Sequence, residues 1–156
     1  MPIAILDFGT NTFNLLIAEQ QGSGFKVLYS GKEPVKLGEG GIHNKMITQE
    51  AMERGYLAIS RHMKTIGAYQ AIHIHAFATS AIRSATNGET FTHTVKERFG
   101  FTVEVISGAQ EADYIYHGVR QAVPLGETPS LILDIGGGSN EFILCTRDQV
   151  LWKHSF

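Results

Sequence analysis

Over residues 2–34 the apolar positions come in short runs of Ile, Leu, Val and Phe, broken by turns that contain Gly, Asn or Ser. "PIAILDFG" reads as a buried strand, "TFNLLIAEQ" as its hairpin partner and "GFKVLYSGKEPVKL" as a third strand. "LGEGGIHNK" (37–45) is a glycine-rich connector. The period then changes. Met52, Tyr56, Ile59, Met63 and Ile66 mark one apolar face of a helix, with Thr48 placed to cap it and Gly67 to end it. "AIHIHAFAT" is a strand, "SAIRSATNG" a short helical turn and loop, and "ETFTHTVKERFG" a helix stopped by Gly100. "FTVEVI" is the next strand. In the helix after it, Ala112, Ile115, Tyr116, Val119 and Val123 form a stripe, and Ser107 and Gln110 stand at capping-box spacing. "PLGETP" is the best linker in the chain, and after it the strand–turn–strand pattern begins again. Strands alternating with helices predict a layered α/β fold with a mixed sheet, and the antiparallel opening argues against a plain doubly wound nucleotide fold.

The renewed pattern is a repeat. A shift of 127 positions lays Asp7 on Asp134, Gly9 on Gly136, Thr12 on Ser139 and Leu15–Ile17 on Phe142–Leu144. Four residues drop out of the following turn, and Val27–Tyr29 then falls on Val150–Trp152. The expected organisation is a first lobe over 1–125 and the start of a second, similar lobe over 126–156. About 95 residues follow the first hairpin and none the second, so the chain is expected to stop inside that second lobe. An isolated hairpin cannot bury "SLILDI", "EFILC" and "QVLW", so a large apolar face is expected there.

Each hairpin turn carries chemistry. Gly9 in one and Gly136, Gly137 and Gly138 in the other let backbone N–H groups converge on an anion, and Thr10, Asn11, Thr12 and Ser139 add polar donors. An aspartate at the strand end repels a bare phosphate but suits a hydrated Mg²⁺, which takes only one or two carboxylates. One such turn alone is as well explained as a tight hairpin; two at matching offsets point to a cleft for a phosphate chain plus metal. Arg83 has two readings, a surface ion pair or a guanidinium fork onto phosphate oxygens. Glu111 also has two, an acid welcomed by the helix start or a general base at the strand ends. His73 and His75 share a strand face but have no third ligand at a recognisable spacing.

Composition narrows the classes. The chain has 156 residues, 43% hydrophobic and 18% charged, enough for a real core. A net charge of −2 announces no broad face for nucleic acid. The single cysteine, Cys145, makes no internal disulfide and reads as an inert core thiol. No apolar run approaches the roughly 20 residues that span a bilayer, and no signal peptide is visible. A cytoplasmic setting is the expectation.

"LDFGTNTFNLLI", "ATSAIRSATN", "VISGAQEADYIYHGV" and "LILDIGGGSNEFIL" together resemble the exopolyphosphatase/guanosine pentaphosphate phosphohydrolase family. "ISG–x–x–EA" narrows the match within a wider set of actin-like ATPases. The resemblance implies a ribonuclease H-like, actin-like ATPase lobe, with a mixed sheet flanked by helices, plus the opening hairpin of a second one. It implies Glu111 as the general base that activates water and Arg83 as the phosphate-gripping arginine. Asp134 and Glu141 are implied as acids linked to metal and water, and Asp7 with Gly9–Thr12 and Gly136–Ser139 as the two phosphate loops. Asn140 departs from the family's threonine. Family members continue through a second lobe of roughly another 150 residues, so this looks like an amino-terminal part. The implied activity is release of terminal phosphate from inorganic polyphosphate or guanosine pentaphosphate with Mg²⁺ or another divalent ion, in a homodimer that binds neither nucleic acid nor membrane. The alternative is an actin-like, ATP-binding regulatory or assembly protein.

Overall fold

The computed structural model describes residues 1–22, 24–41 and 44–156, so Ile42 and His43 of the glycine-rich connector lie outside the described residues. The chain divides into two compact units, Met1–Val105 and Ile106–Phe156.

The first unit is built on strands β1 (Pro2–Phe8), β2 (Thr12–Gln21), β3 (Gly24–Pro34), β4 (His73–Ala78) and β5 (Val103–Val105). Their order in the sheet is β3-β2-β1-β4-β5. The first three strands are antiparallel, and β4 and β5 run parallel to β1, giving the mixed sheet the strand pattern predicted. Alternation decides the faces. Ala4, Leu6 and Phe8 of β1 and Phe13, Leu15 and Ile17 of β2 all point into the core. Helices α1 (Gln49–Ala68) and α3 (Gly88–Phe99) bring the residues that meet them, Met52, Tyr56 and Ile59 from one and Phe91 and Val95 from the other.

The helix ends show how local chemistry sets the boundaries. Thr48 caps α1 by accepting from the Ala51 N–H at 3.2 Å. Gly67 does not end that helix. Its last turn continues to Ala68 and closes when Gln70 adopts φ +54°. The Gln70 and Ala71 N–H groups then reach back to the Gly67 and Ile66 carbonyls at 3.0 and 3.2 Å, a Schellman closure with glutamine in the left-handed position. Gly100 ends α3 as expected, at φ +80° with its N–H on the Lys96 carbonyl.

In the second unit β6 (Ser130–Ile135), β7 (Asn140–Cys145) and β8 (Val150–Ser155) form an antiparallel sheet. Helix α4 (Gly108–Ala122) starts with the expected capping box at Ser107 and Gln110. The sequence reading grouped this helix with residues 1–125; in the structure its stripe, led by Ala112 and Tyr116, packs on Ile143 and Cys145 of β7. The Tyr116 hydroxyl donates to the Thr146 and Arg147 carbonyls at 3.1 Å, and the Lys153 ammonium meets Asp113 at 2.5 Å. The apolar stripe and these polar ties, from Asp113 and Tyr116, hold α4 on this sheet. The opposite face keeps the expected apolar surface: Leu131, Ile135 and Phe156 are 61, 74 and 68% exposed. Among the described residues no helix is long and apolar enough to cross a membrane.

Candidate active site

The two hairpin turns close identically. Gly9 N–H donates to the Thr12 carbonyl at 3.0 Å, and Gly136 N–H donates to the Ser139 carbonyl at 3.0 Å. A Cβ added at either glycine would sit 3.0 or 2.9 Å from that same carbonyl, so the close approach of backbone, rather than an unusual φ, favours glycine at both. In the first turn the Thr10 carbonyl accepts from Leu37, and the Asn11 carbonyl accepts from Val35 and Lys36, at 2.7–2.9 Å. Oxygens that would repel a phosphate are thereby tied to the chain's own N–H groups. Gly136, Gly137 and Gly138 of the second turn are exposed.

The repeat extends beyond the turns. Asp7 opposes Asn14 across β1 and β2, and Asn14 opposes Lys32 on β3. Asp134 opposes Glu141, and Glu141 opposes Ser155, in the same register. Each unit thus carries one row of three polar side chains on one sheet face, Asp–Asn–Lys in the first and Asp–Glu–Ser in the second. Even the β-bulge is duplicated, with Leu28 unpaired between Ile17 and Ala18 and Leu151 unpaired between Leu144 and Cys145.

The rows differ in charge and satisfaction. Asn14 Nδ2 donates to Asp7 Oδ2 at 2.9 Å, and the row, with Ile5, Leu16 and Ser30, lines an open depression of about 570 Å³. In the second row Glu141 is fully buried. Its Oε1 accepts from Ser155 Oγ at 2.7 Å, while its Oε2 has no hydrogen-bond partner among the described residues. Partial desolvation holds the Asp134 carboxyl above the usual aspartate range although the residue as a whole is exposed, the Glu141 charge raises it further, and a backbone hydrogen bond from Ile135 opposes both. A buried carboxylate oxygen without a donor, beside a second acid, fits a cation ligand. Among the described residues no group of three or more His, Cys, Asp or Glu is arranged to hold a metal, so the two acids stand as a pair.

The other predicted residues take the places their elements dictate. Arg83 lies half-buried in the last turn of α2 (Ser80–Ser84), its N–H on the Thr79 carbonyl at 2.9 Å. Glu111 lies half-buried in the first turn of α4. The capping box there is closed by the Gln110 side chain, and Glu111 keeps both readings, a helix-start acid or a general base. His73 and His75 are exposed on β4. Cys145 is buried in the core, which pushes its thiol pKa up. The sequence reading did not single out Asn14 or Ser155, and Lys32, expected to be solvated, is exposed on β3. The signal was present, because the offset of 127 lays Asn14 on Glu141 and the later offset of 123 lays Lys32 on Ser155.

Residues 16–156 match the model of the Ppx/GppA phosphatase family. A putative exopolyphosphatase of Haemophilus influenzae is 32% identical over 142 residues, which are 91% of this chain and 44% of that protein. The crystal structure of an exopolyphosphatase from Cytophaga hutchinsonii superimposes with a TM-score of 0.97 at 41% identity, over all of this chain and 50% of that one. MreB5 of Spiroplasma citri, in a structure bound to ADP, shares the actin-like fold alone, at TM-score 0.50 and 17% identity over 99% of this chain and 51% of that one. The chain therefore spans about half the length of the relatives it matches. With a family match that begins within β2 and runs through the later motifs to residue 156, the chain belongs to the Ppx/GppA phosphatase family.

Proposed function

We propose that the protein is a metal-assisted phosphohydrolase that releases terminal orthophosphate from inorganic polyphosphate, with guanosine pentaphosphate as the second candidate substrate. The observation that carries this reading is the buried Glu141 carboxylate, with one oxygen fixed by Ser155 and the other unpartnered, beside Asp134 at the foot of the Gly136–Ser139 turn. The relatives named as exopolyphosphatases support the choice of substrate.

The roles follow from the chemistry of each group. Asp134 and Glu141 would hold a divalent ion such as Mg²⁺, which when bound supplies Lewis-acid stabilisation of phosphoryl charge. Asp7 is the corresponding acid of the first unit and is assigned the same role toward a hydrated cation. Gly9–Thr12 and Gly136–Ser139 offer backbone and hydroxyl donors to phosphate oxygens. Arg83 neutralises the terminal phosphoryl group, and Glu111 takes a proton from the attacking water. Phosphoryl transfer depends mainly on positioning and charge stabilisation, which suits a site made of turns and strand ends. The reading also puts the protein in the cytoplasm, in keeping with its buried thiol, and takes a homodimer from the family resemblance alone.

The test is orthophosphate release from polyphosphate and from guanosine pentaphosphate, with Mg²⁺ and with chelator. Glu111→Gln is expected to lower turnover by about 10²–10⁴ while sparing substrate binding. Activity that survives chelation, or a Glu111→Gln protein with wild-type turnover, defeats the mechanism.

A further inference from the structure

We infer that Ser155 is a positioning residue that decides which oxygen of Glu141 is presented to the cation. This rests on the metal reading above and extends it to a side chain outside every motif of the sequence analysis.

The strand register holds the pair together. Asn140 and Phe156 exchange both backbone hydrogen bonds, each at 3.0 Å. Their neighbours Glu141 and Ser155 therefore form the adjoining non-hydrogen-bonded pair, the kind in which opposed side chains come closest. Ser155 Oγ uses that proximity to donate to Glu141 Oε1 at 2.7 Å. Glu141 is fully buried, so no water substitutes for the hydroxyl, and Oε2 is left as the oxygen without a partner. One oxygen is fixed and one is offered.

The first copy of the hairpin sharpens the assignment. At the position equivalent to Ser155 it carries Lys32, opposite a neutral Asn14. A lysine opposite Glu141 would neutralise the carboxylate and compete with a cation. A serine donates one hydrogen bond and leaves the charge intact. The hydroxyl therefore accompanies the row with two acids, and the lysine the row with one. Ligating carboxylates are held by such outer hydrogen bonds, and losing one lowers metal affinity by roughly 10–100-fold. Without Oγ both Glu141 oxygens lack donors, and the carboxylate is free to turn about its terminal torsion, which is broad and two-fold.

The experiment is Mn²⁺ titration of the protein without substrate, following loss of the free-ion electron paramagnetic resonance signal, for wild type, Ser155→Ala and Ser155→Thr. Ser155→Ala is expected to weaken Mn²⁺ binding by about 10–100-fold. Ser155→Thr, which keeps the hydroxyl on a residue suited to a strand, is expected to bind close to wild type. In hydrolysis assays the Ser155→Ala defect should shrink as Mg²⁺ is raised, with the KM for polyphosphate unchanged. Equal Mn²⁺ affinity in wild type and Ser155→Ala, or a Ser155→Thr protein as weak as the alanine variant, overturns the positioning role and leaves the metal reading standing. No Mn²⁺ binding by the wild-type protein overturns both.

Discussion

Replacing Glu141 by glutamine should stabilise the metal-free protein. The substitution keeps shape and keeps an oxygen to accept from Ser155, but it removes a charge that has no buried cation to meet. Glu141 is fully buried and its Oε2 has no partner among the described residues. The amide nitrogen that takes the place of Oε2 is also a buried polar group without a partner, so the gain is only the excess penalty of a charge over a neutral group, on the order of 1–3 kcal/mol. At about 2–4 °C per kcal/mol for a chain of this size, that is a rise in Tm of roughly 2–12 °C for Glu141→Gln in chelator. Divalent ion reverses the ranking. At a concentration 100 times its Kd the ion adds about 2.7 kcal/mol to the wild type, and the variant, with one carboxylate fewer, gains less. The assay is thermal unfolding followed by far-ultraviolet circular dichroism, in EDTA and then in excess Mg²⁺. A Glu141→Gln protein that melts below wild type in EDTA would refute the argument, because it would mean the carboxylate is already compensated inside the fold.

Asp134 gives the matching pH dependence. Its carboxyl is raised in the folded state, so in chelator its contribution to stability is fully present below the ordinary aspartate value and is lost as pH rises through the raised value. Asp134→Asn should flatten that part of the stability–pH curve, and Glu141→Gln should move it toward lower pH; urea titrations at stepped pH read both. Gln70 closes α1 at φ +54°, where glycine carries no Cβ penalty, so Gln70→Gly should raise unfolding free energy by about 0.5–1 kcal/mol in urea. Phe91 is fully buried, stacks on Tyr56 at 4.9 Å, and meets Phe8 and Phe13 edge-on at 6.5 and 6.1 Å. Phe91→Ala should cost about 3–5 kcal/mol by the same measurement, and a loss under about 1 kcal/mol would show that the cluster repacks.

Period and punctuation carried much of the fold into the sequence. The strand alternation of Ala4, Leu6 and Phe8, the helical stripe from Met52 to Ile66 and the stop at Gly100 all have local causes, and all are present in the structure. Gly67 misled because a helix end is decided by which residue can close the last carbonyls, and here Gln70 does so against its own preference. The packing of α4 was harder to read, since an apolar stripe says that a helix is covered and not by which sheet. At the site, the strand-end aspartates and the glycine turns were legible from the repeat, and Glu141 only from the family motif. Ser155 was harder to read, because the repeat lays it on a lysine, and its role comes from standing opposite Glu141 in a register fixed by backbone bonds.

The duplicated bulge bears on how the two rows could have diverged. Side chains on a strand alternate between faces, so an odd change of length between hairpin tip and row would flip everything beyond it to the other side. The second hairpin closes two residue pairs sooner than the first, with Thr146 and Gln149 joined where Glu19 and Lys26 pair. That is a loss of four residues, an even number, and the extra residue is kept at Leu28 and at Leu151. Parity is therefore conserved while length is not. Position 32 in one copy and 155 in the other still face their aspartate rows, so each could change its residue type, to lysine or to serine, without re-aiming the strand. Deleting Leu151 alone would remove the bulge and leave a regular ladder with Ser155 still opposite Glu141, so the bulge shapes the local twist of the strand and not the face on which the row lies.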